Sequence, residues 1–270
     1  MRLADKVVIV TGSATGIGRA IALRAAAEGA RVVVHGLEPD LVAGVVAAIG
    51  AADGVARGVG HVGELTEAHC PRTLVDLAVD HFGRLDAVVN NAAAVVTGDV
   101  RSTDAALFER VMRVNALVPL LLVQAALPAL AATRGAVLNI GSINAWSGEP
   151  NLLPYSMSKG ALATLTRNLG DVLFREEGIR VNQINPGWVL TENESSRKRS
   201  QGFEAEWERR IPREFAPSGR LFTPAEIAAV AVGFLADESG PVSGQVCDLE
   251  QYPVIGRNPL KYLAPKAPSP

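Results

Sequence analysis

The stretch Val7-Val8-Ile9-Val10-Thr11-Gly12-Ser13-Ala14-Thr15-Gly16-Ile17-Gly18 joins an apolar run to a glycine-rich turn, and helix-forming residues follow at 19–23. A strand, a glycine turn and a helix in this order can bind a pyrophosphate, because small residues let its oxygens reach backbone N–H groups and the positive end of the helix dipole. A glycine turn by itself could be only a tight connection. Its position in the first strand-helix unit favours a dinucleotide-binding turn.

The rest of the chain repeats this alternation of strand and helix. Runs rich in Val and Ile are typical of strands buried on both faces of a parallel sheet, and helical periodicity fills most of the gaps between them. We predict one α/β domain over residues 1–249, a doubly wound, seven-stranded parallel sheet with helices on both faces that makes a three-layer α/β/α sandwich. The predicted strands are residues 7–10, 31–34, 54–59, 87–89, 136–140, 180–184 and 245–249.

Composition narrows the possible functions. The 270 residues are 48% hydrophobic and 20% charged, which is typical of a globular protein and excludes the disordered and fibrous classes. With a net charge of -2, the molecule as a whole has no attraction to nucleic acid or to an anionic membrane, so we expect a small-molecule partner. Two cysteines, Cys70 and Cys247, are too few for a disulfide framework or a zinc site, and no metal is predicted. The start has no signal-peptide pattern, and we expect a cytoplasmic protein.

Two segments depart from the alternating pattern. Residues 190–217 are dense in charge and contain Phe203 and Trp207, so we interpret them as a substrate loop or lid, with a solvated surface helix as the alternative. Residues 250–270 carry five prolines, which forbid a regular helix. This extension could close over an active site, pack on another subunit or be loose.

Four polar residues are candidates for a proton-transfer site. Tyr155 and Lys159 are spaced i, i+4, so on a helix both project from one face, and a lysine cation lowers the pKa of a nearby phenol. Ser142 follows the strand at 136–140, at the edge where doubly wound sheets bind ligands, and its hydroxyl can donate to a developing alkoxide. Asn115 lies in an otherwise apolar helix and therefore needs internal partners, at a helix kink or a bound water.

The spacing Gly-x3-Gly-x-Gly in the first turn resembles that of the classical short-chain dehydrogenases/reductases. Asn90-Asn91-Ala92 and Pro186-Gly187-Trp188-Val189-Leu190-Thr191 are similar to further motifs of that family, and the resemblance extends to about residue 249. It implies a Rossmann-type fold, an NAD or NADP cofactor and a catalytic tetrad of Asn115, Ser142, Tyr155 and Lys159. In that scheme Tyr155 transfers the proton, Ser142 orients the substrate oxygen, Lys159 lowers the tyrosine pKa and holds the nicotinamide ribose, and Asn115 anchors a relay water.

The resemblance also implies the cofactor-binding residues and a choice between NAD and NADP. NAD-dependent members usually carry Asp where this chain has Gly36, and loss of that carboxylate favours NADP, with His35 as a phosphate neighbour. Glu38 argues for NAD, and Thr15 and Leu37 replace the basic residues that often support NADP. The expected cofactor-binding residues are Gly12, Ser13, Thr15, Gly16, Ile17, Gly18, His35, His61, Val62, Asn90, Ala92, Tyr155, Lys159, Pro186, Gly187, Val189 and Thr191. His61-Val62 stands where the family commonly has Asp-Val beside the adenine.

The expected function is the interconversion of a secondary alcohol and a ketone by hydride transfer. The substrate-binding residues are predicted to be Ser142, Asn144, Glu149, Tyr155 and Trp188, a polar and aromatic set that suits a sugar, a polyol or another hydroxy compound. The alternatives are a catalytically silent regulatory or scaffold protein that binds a dinucleotide, and a dehydratase or epimerase without net redox change. Helices at 103–130 and 155–174 carry more apolar residues than one buried stripe needs, and relatives pair through them, so we expect a homotetramer or homodimer.

Overall fold

The computed structural model describes residues 1–50 and 56–253. Within them the chain forms a seven-stranded, all-parallel sheet in the order β3-β2-β1-β4-β5-β6-β7. The strands are β1 Val7–Val10, β2 Arg31–Gly36, β3 Gly58–Val62, β4 Ala87–Asn90, β5 Ala136–Ile140, β6 Arg180–Pro186 and β7 Val246–Leu249. The doubly wound α/β architecture predicted from the sequence is confirmed.

Helices cover both faces of this sheet. Alternate side chains of β1 enter two different cores: Val8 and Val10 pack on one side, Val7 and Ile9 on the other. The first core is completed by α1, α2 and α9, and the second by α3, α5 and α7. The helices are α1 Gly16–Ala27, α2 Pro39–Gly50, α3 Cys70–Phe82, α4 Ala105–Met112, α5 Val118–Thr133, α6 Asn144–Ser147, α7 Leu153–Glu177, α8 Glu192–Ser200 and α9 Pro224–Leu235.

Several strands end later than their apolar runs predict. β2 continues to Gly36 and β3 to Val62, because the two strands stay paired through His35 with His61 and Gly36 with Val62. Backbone pairing does not require apolar side chains, so the end of an apolar run sets only a lower limit on strand length. β3 also begins at Gly58 and not at 54, and residues 54 and 55 of the predicted strand lie outside the described part of the chain.

The helix predicted over residues 103–130 is divided in three. α4 begins at Ala105, where the Asp104 carboxylate accepts the Leu107 N–H at 2.8 Å as a helix cap. A π-helical turn, Arg113–Leu117, then separates α4 from α5. Such turns widen a helix by one residue and often occur at functional sites. Here the turn carries Asn115 at its centre.

The composite helix Ala105–Thr133 is the one helix in residues 1–50 and 56–253 that is long and apolar enough to cross a membrane, with a mean hydropathy of 1.9. Core helices of soluble proteins meet the same criterion. Here α4 packs on α7 and α5 packs on α3, so burial accounts for part of this hydropathy.

Asp86, just before β4, tests how much side-chain hydrogen bonds to the sheet contribute to stability. Its buried carboxylate accepts the Val7 N–H at 2.9 Å and two bonds from Arg84 at 2.9 and 2.7 Å. We expect Asp86→Ala to lower the free energy of unfolding by about 2–4 kcal/mol, because a buried amide and a guanidinium lose their acceptor. In the control Asp76→Ala, the exposed ion pair with Arg72 is lost at a cost of at most about 0.5 kcal/mol. Urea unfolding measures both, and equal effects would contradict the prediction.

Candidate active site

A cavity of about 610 Å³ lies at the carboxyl edge of the sheet. The order of the strands reverses at β1: the chain adds β2 and β3 on one side of β1, and β4 to β7 on the other side. Open parallel sheets bind ligands at this point because the connections on either side diverge. The volume is within the usual range for small-molecule sites.

The turn after β1 forms the floor of one half of this cavity. Gly12 has a φ of +60°, and a Cβ there would lie 2.9 Å from Ala92 Cα. A Cβ on Gly18 would lie 2.4 Å from the Gly12 carbonyl oxygen. Thr15, the residue before α1, makes no side-chain capping bond. The N-terminus of α1 is thus left without a side-chain cap, an arrangement that suits a phosphate.

The other half of the cavity brings Ser142, Tyr155 and Lys159 together. Tyr155 and Lys159 extend from the first turns of α7, and Ser142 follows β5. Ser142 and Tyr155 both line this half of the cavity, and Ser142 favours the ionised form of the phenol. Lys159 Nζ lies 5.7 Å from the centre of the Tyr155 ring and donates to the Ile140 carbonyl at 2.7 Å. The phenol, the hydroxyl and the ammonium therefore face one volume.

Burial dominates the protonation of this pair. It raises the pKa of Tyr155 to about 12, since loss of solvent around the phenolate outweighs the hydrogen bond from Ser142. Burial also lowers the pKa of Lys159 to about 8. At neutral pH the site therefore holds a neutral phenol beside an ammonium group.

The source of charge acting on Tyr155 differs from the sequence-based expectation. The Tyr-x3-Lys spacing predicted that Lys159 lowers the tyrosine pKa, but the ammonium is directed at the Ile140 carbonyl. The charged groups that shift the pKa of Tyr155 are Arg197, which lowers it, and Glu149 and Glu194, which raise it. None of these three is on the helix that carries the tyrosine.

Asn115 lies behind the half of the cavity that holds Tyr155 and is not on the cavity wall. Its Oδ1 accepts the Ala94 N–H at 2.8 Å, and its Nδ2 donates to the Ala94 carbonyl at 3.0 Å and to Ser158 Oγ at 2.9 Å. The expectation of internal partners at an irregular helical turn fits this geometry. Asn115 thereby joins the chain after β4 to α7, and its role in a water relay stays a prediction.

Comparison with known proteins identifies the family of this chain. A family model described as Enoyl-(Acyl carrier protein) reductase matches residues 12–250. The chain is 32% identical over 244 residues to 2-(S)-hydroxypropyl-CoM dehydrogenase 3 of Xanthobacter autotrophicus, a match that covers 90% of this chain and 94% of that protein. The chain belongs to the short-chain dehydrogenase/reductase family.

Other similar proteins also match over most of their length. L-fucose dehydrogenase of Mus musculus is 35% identical over 249 residues, covering 88% of this chain and 84% of that protein. The crystal structure of levodione reductase matches with a TM-score of 0.84 at 30% identity, over 92% of this chain and 97% of that one. A short-chain dehydrogenase/reductase of unknown function from Caenorhabditis elegans, solved with cofactor, matches with a TM-score of 0.81 at 28% identity, over 92% and 95% of the two chains. The chain is thus a member of an oxidoreductase family.

Most cofactor positions carried over from the family reach the cavity. Three of the predicted positions lie behind the cavity wall: Ser13, Gly18 and Asn90. The Ser13 hydroxyl donates to the Val10 carbonyl at 2.7 Å, and Asn90 Nδ2 donates to Asn139 Oδ1 at 2.8 Å. The lining includes Gly12, Thr15, Gly16, Ile17, His35, Ala92, Tyr155, Lys159, Pro186, Gly187, Val189 and Thr191, and all five predicted substrate-binding residues, Ser142, Asn144, Glu149, Tyr155 and Trp188.

Two residues that were expected to bind the adenine do not line the cavity. His61 and Val62 are not on the cavity wall, whereas Glu64, Leu65 and Thr66 are. β3 stays paired with β2 through Val62, so the chain enters the cavity only after the next turn.

His35 also differs from its expected role. Both of its ring nitrogens contact the backbone. Nδ1 accepts the Gly12 N–H at 3.1 Å, and Nε2 lies 2.9 Å from the Gly63 carbonyl oxygen. Its exposed fraction is 2%. A histidine occupied in this way is not available to bind a phosphate.

The charged segment 190–217 covers the substrate end of the cavity. Trp188 stacks on Trp207 with 5.4 Å between ring centres, and Phe203 meets Trp207 edge-on at 5.8 Å. Lys198 places its ammonium over the rings of Trp188 and Phe203, at 5.1 and 4.8 Å. α8 contributes Arg197 to the cavity wall, held by Glu194 at 2.6 Å. This placement favours a substrate loop over the solvated-helix alternative, and closure as a lid stays a prediction.

The residues after β7 secure the far side of this segment. Gln251 Nε2 donates to the Arg220 carbonyl at 2.7 Å, and the Ser218 hydroxyl donates to Gln251 Oε1 at 2.6 Å. Glu250 packs so closely on Gly187 that a Cβ there would lie 2.2 Å from its carboxylate. The beginning of the extension therefore packs within this chain. The rest of it, residues 254–270, lies outside the described residues, so its expected roles stay open.

The buried ammonium of Lys159 makes stability depend on pH. Its pKa is lowered from 10.5 to about 8, so the folded state loses this proton before the unfolded state does, and the cost of burying the charge disappears as pH rises from 8 to 10.5. We expect Lys159→Met to raise the free energy of unfolding at pH 7 by about 2 kcal/mol. That gain should shrink through this alkaline window.

Urea unfolding at several pH values measures this effect, with Lys6→Met as the control. Lys6 forms a surface ion pair with Asp237, so its loss should change stability by at most about 0.5 kcal/mol. A Lys159→Met gain that is absent at pH 7, or that grows with pH, would contradict the prediction.

Proposed function

We propose that this chain is a nicotinamide-dependent oxidoreductase that interconverts a secondary alcohol and a ketone, with Tyr155 as the general acid and base. The observation that carries the proposal is that Ser142 and Tyr155 share one cavity wall, with Ser142 near enough to favour the phenolate. A substrate oxygen that contacts both groups meets a proton donor and an orienting hydroxyl at once. The bound nicotinamide would supply or accept the hydride.

The residues present suit a dinucleotide. Gly12 and Gly16 line the cavity beside the N-terminus of α1, which no side chain caps, so a pyrophosphate can approach the backbone N–H groups there. The cavity runs from this turn to Tyr155 and Lys159, a path along which the two halves of a dinucleotide can lie. We assign the hold on the nicotinamide ribose to Lys159, whose ammonium is already fixed beside the phenol.

The protonation state of Tyr155 determines whether it can donate or accept a proton. As a neutral phenol at neutral pH, Tyr155 is ready to donate to the carbonyl oxygen of a ketone. For alcohol oxidation it must first lose that proton, which Ser142 and Arg197 favour and which Glu149 and Glu194 oppose. Oxidation is therefore expected to gain more than reduction from an alkaline pH.

We propose NAD as the dinucleotide. The missing carboxylate at Gly36 favoured NADP in the sequence, but Glu38 and Glu64 both line the adenosine end of the cavity. The described lining residues between 35 and 66 include no lysine or arginine. A 2′-phosphate would face two carboxylates and a neutral histidine there, without a cation to pair with.

We propose a polar hydroxy compound, with sugars and polyols among the candidates, as the substrate. Asn144, Glu149 and Trp188 supply hydrogen-bonding groups and an indole face, and Glu194 and Arg197 add charged groups to the same wall. A long aliphatic substrate would leave these groups without partners. One relative is named for a sugar, L-fucose, which supports this class.

We further propose that copies of the chain pair through α4, α5 and α7. Leu117, on the π-helical turn between α4 and α5, and Met157, on α7, are exposed. Burial of such side chains in a subunit contact would stabilise a dimer or tetramer.

Tyr155→Phe tests the proposed reaction. A panel of polyols, sugars and ketones with both dinucleotides, followed at the nicotinamide absorbance band, identifies the substrate. The variant should lose about 100-fold to 10,000-fold in turnover, because only the proton-transfer group is removed. It should keep the affinity for dinucleotide.

The same panel distinguishes the other functions. Product formed without a change in nicotinamide absorbance would favour a dehydratase or epimerase. Dinucleotide binding without turnover across the panel would favour a regulatory or scaffold protein. A Tyr155→Phe variant that keeps full turnover would contradict the assignment of the acid and base.

Glu38→Gln tests the preference for NAD. The preference, expressed as the ratio of kcat/KM with NAD to that with NADP, should fall by about fivefold to tenfold, because one repulsive charge is removed. Asp40→Asn is the matched control, since Asp40 is exposed two residues further on and is not on the cavity wall. Wild-type preference for NADP, or an equal effect of both variants, would overturn the NAD proposal.

A further inference from the structure

His35 joins three connections that surround the adenosine half of the cavity. It lies on β2, its Nδ1 meets the turn after β1 at Gly12, and its Nε2 meets the connection after β3 at Gly63. Its own backbone adds two more bonds to the turn, since Ser13 N–H donates to its carbonyl at 2.7 Å and its N–H donates to Ser13 Oγ at 3.0 Å. The imidazole thus connects the phosphate-binding turn to two strand ends.

The partners of the ring determine its protonation. A carbonyl oxygen can only accept, so Nε2 carries the hydrogen toward Gly63. An N–H group can only donate, so Nδ1 presents its lone pair to Gly12. Both contacts are satisfied only by the neutral Nε2–H tautomer.

We propose that neutral His35 is a positioning residue that holds the phosphate-binding turn in its cofactor-binding shape, and that protonation of the imidazole releases the turn and weakens dinucleotide binding. This inference rests on the proposed function, because the ligand is the dinucleotide of that reaction. His35 touches the backbone of the turn, so it acts through Gly12 and not by contact with a phosphate.

The reason lies in the conformation of Gly12. Gly12 has a φ of +60° and packs on Ala92 so closely that a Cβ would not fit, so this part of the turn depends on a specific backbone conformation. An imidazolium would direct a second N–H at the Gly12 N–H, and the two donors would repel each other. The turn would then have to shift, or leave a buried N–H without an acceptor. Either outcome displaces the glycines that face the pyrophosphate.

The surroundings of His35 favour the neutral form. Its pKa is lowered from the ordinary 6.5 because burial outweighs the opposing hydrogen bond to the Gly63 carbonyl. The charge that His61 can carry lowers the pKa further, and Glu64 has a smaller raising effect. His61, on the neighbouring strand, stacks on His35 with 6.1 Å between ring centres. Glu38 at the start of α2 shares the cavity wall. Because the pKa is lowered, His35 is neutral at pH 7, and the loss of affinity should set in as pH falls below 6.5.

His61 is the other group that could titrate in this range. Its pKa is lowered by burial and by His69, against Glu67. Its Nε2 lies 3.6 Å from Cys70 Sγ, on the side away from the turn. The test must therefore separate the two histidines.

Three variants separate them. His35→Asn keeps an acceptor near the position of Nδ1 but does not titrate. His35→Leu removes the acceptor. His61→Asn removes the neighbouring histidine and leaves His35 in place. Calorimetric titration with NADH at about pH 7.5 and about pH 5.5 spans the range in which a histidine changes charge.

For wild type and His61→Asn, we expect the Kd to be higher at the lower pH and to rise further as the pH falls, because protonated His35 can no longer accept the Gly12 N–H. His35→Asn should bind as wild type does at the higher pH and lose most of this pH dependence. His35→Leu should bind about tenfold more weakly at both pH values, as expected for one lost buried hydrogen bond.

Hydrogen exchange at the Gly12 amide provides a readout that needs no cofactor. Protection should be present in wild type and His35→Asn at neutral pH, and reduced in His35→Leu. Full protection in His35→Leu, or a pH dependence that persists in His35→Asn and disappears in His61→Asn, would overturn the inference. Failure of wild type to bind either dinucleotide at any pH would instead overturn the proposed function, and the exchange result would still decide the contact between His35 and Gly12.

Discussion

The hydrogen bond from the Ser142 N–H to Asn185 Oδ1, at 3.1 Å, connects the catalytic end of the cavity to a polar interior. Asn185 is completely buried on β6, and its carbonyl also accepts from Gln183 Nε2 at 2.7 Å. Thr166 Oγ1 contacts Gln183 Oε1 at 2.9 Å and accepts from Asn139 Nδ2 at 2.8 Å. Each of these groups would cost about 1–3 kcal/mol if it lost its partner. The strand ends that carry the site are therefore held in one relative position.

This polar chain explains why α7 can carry a buried ammonium. Thr166 is on the same helix as Lys159, so the bonds that fix α7 to the sheet also fix the position of the ammonium over the Ile140 carbonyl. In this position, burial is the largest influence on the pKa of both Lys159 and Tyr155. A site organised in this way keeps its charges in place before any ligand arrives.

Much of the fold could be predicted from the sequence because its signals are local. Uninterrupted apolar runs located the strands, and the spacing of Gly12, Gly16 and Gly18 located the first turn. Tyr155 and Lys159 were found from helical spacing. The π-helical turn at Asn115 and the position of Glu64 were not predicted, because both depend on how distant segments pair. The sequence likewise gave no sign that Arg197 lies near Tyr155, since that proximity arises only when α8 folds over the cavity.

Trp188, Trp207, Ile211, Ala216 and Leu221 form a small core of their own, separate from the two that sandwich the sheet. Because its packing is independent of the sheet, natural variation in this cluster can reshape the wall above Tyr155 while the strands and the nucleotide half stay as they are. The two cores of the sheet are thus separate from the cluster that shapes the wall above Tyr155. Substrate range can therefore diverge without loss of the folded scaffold.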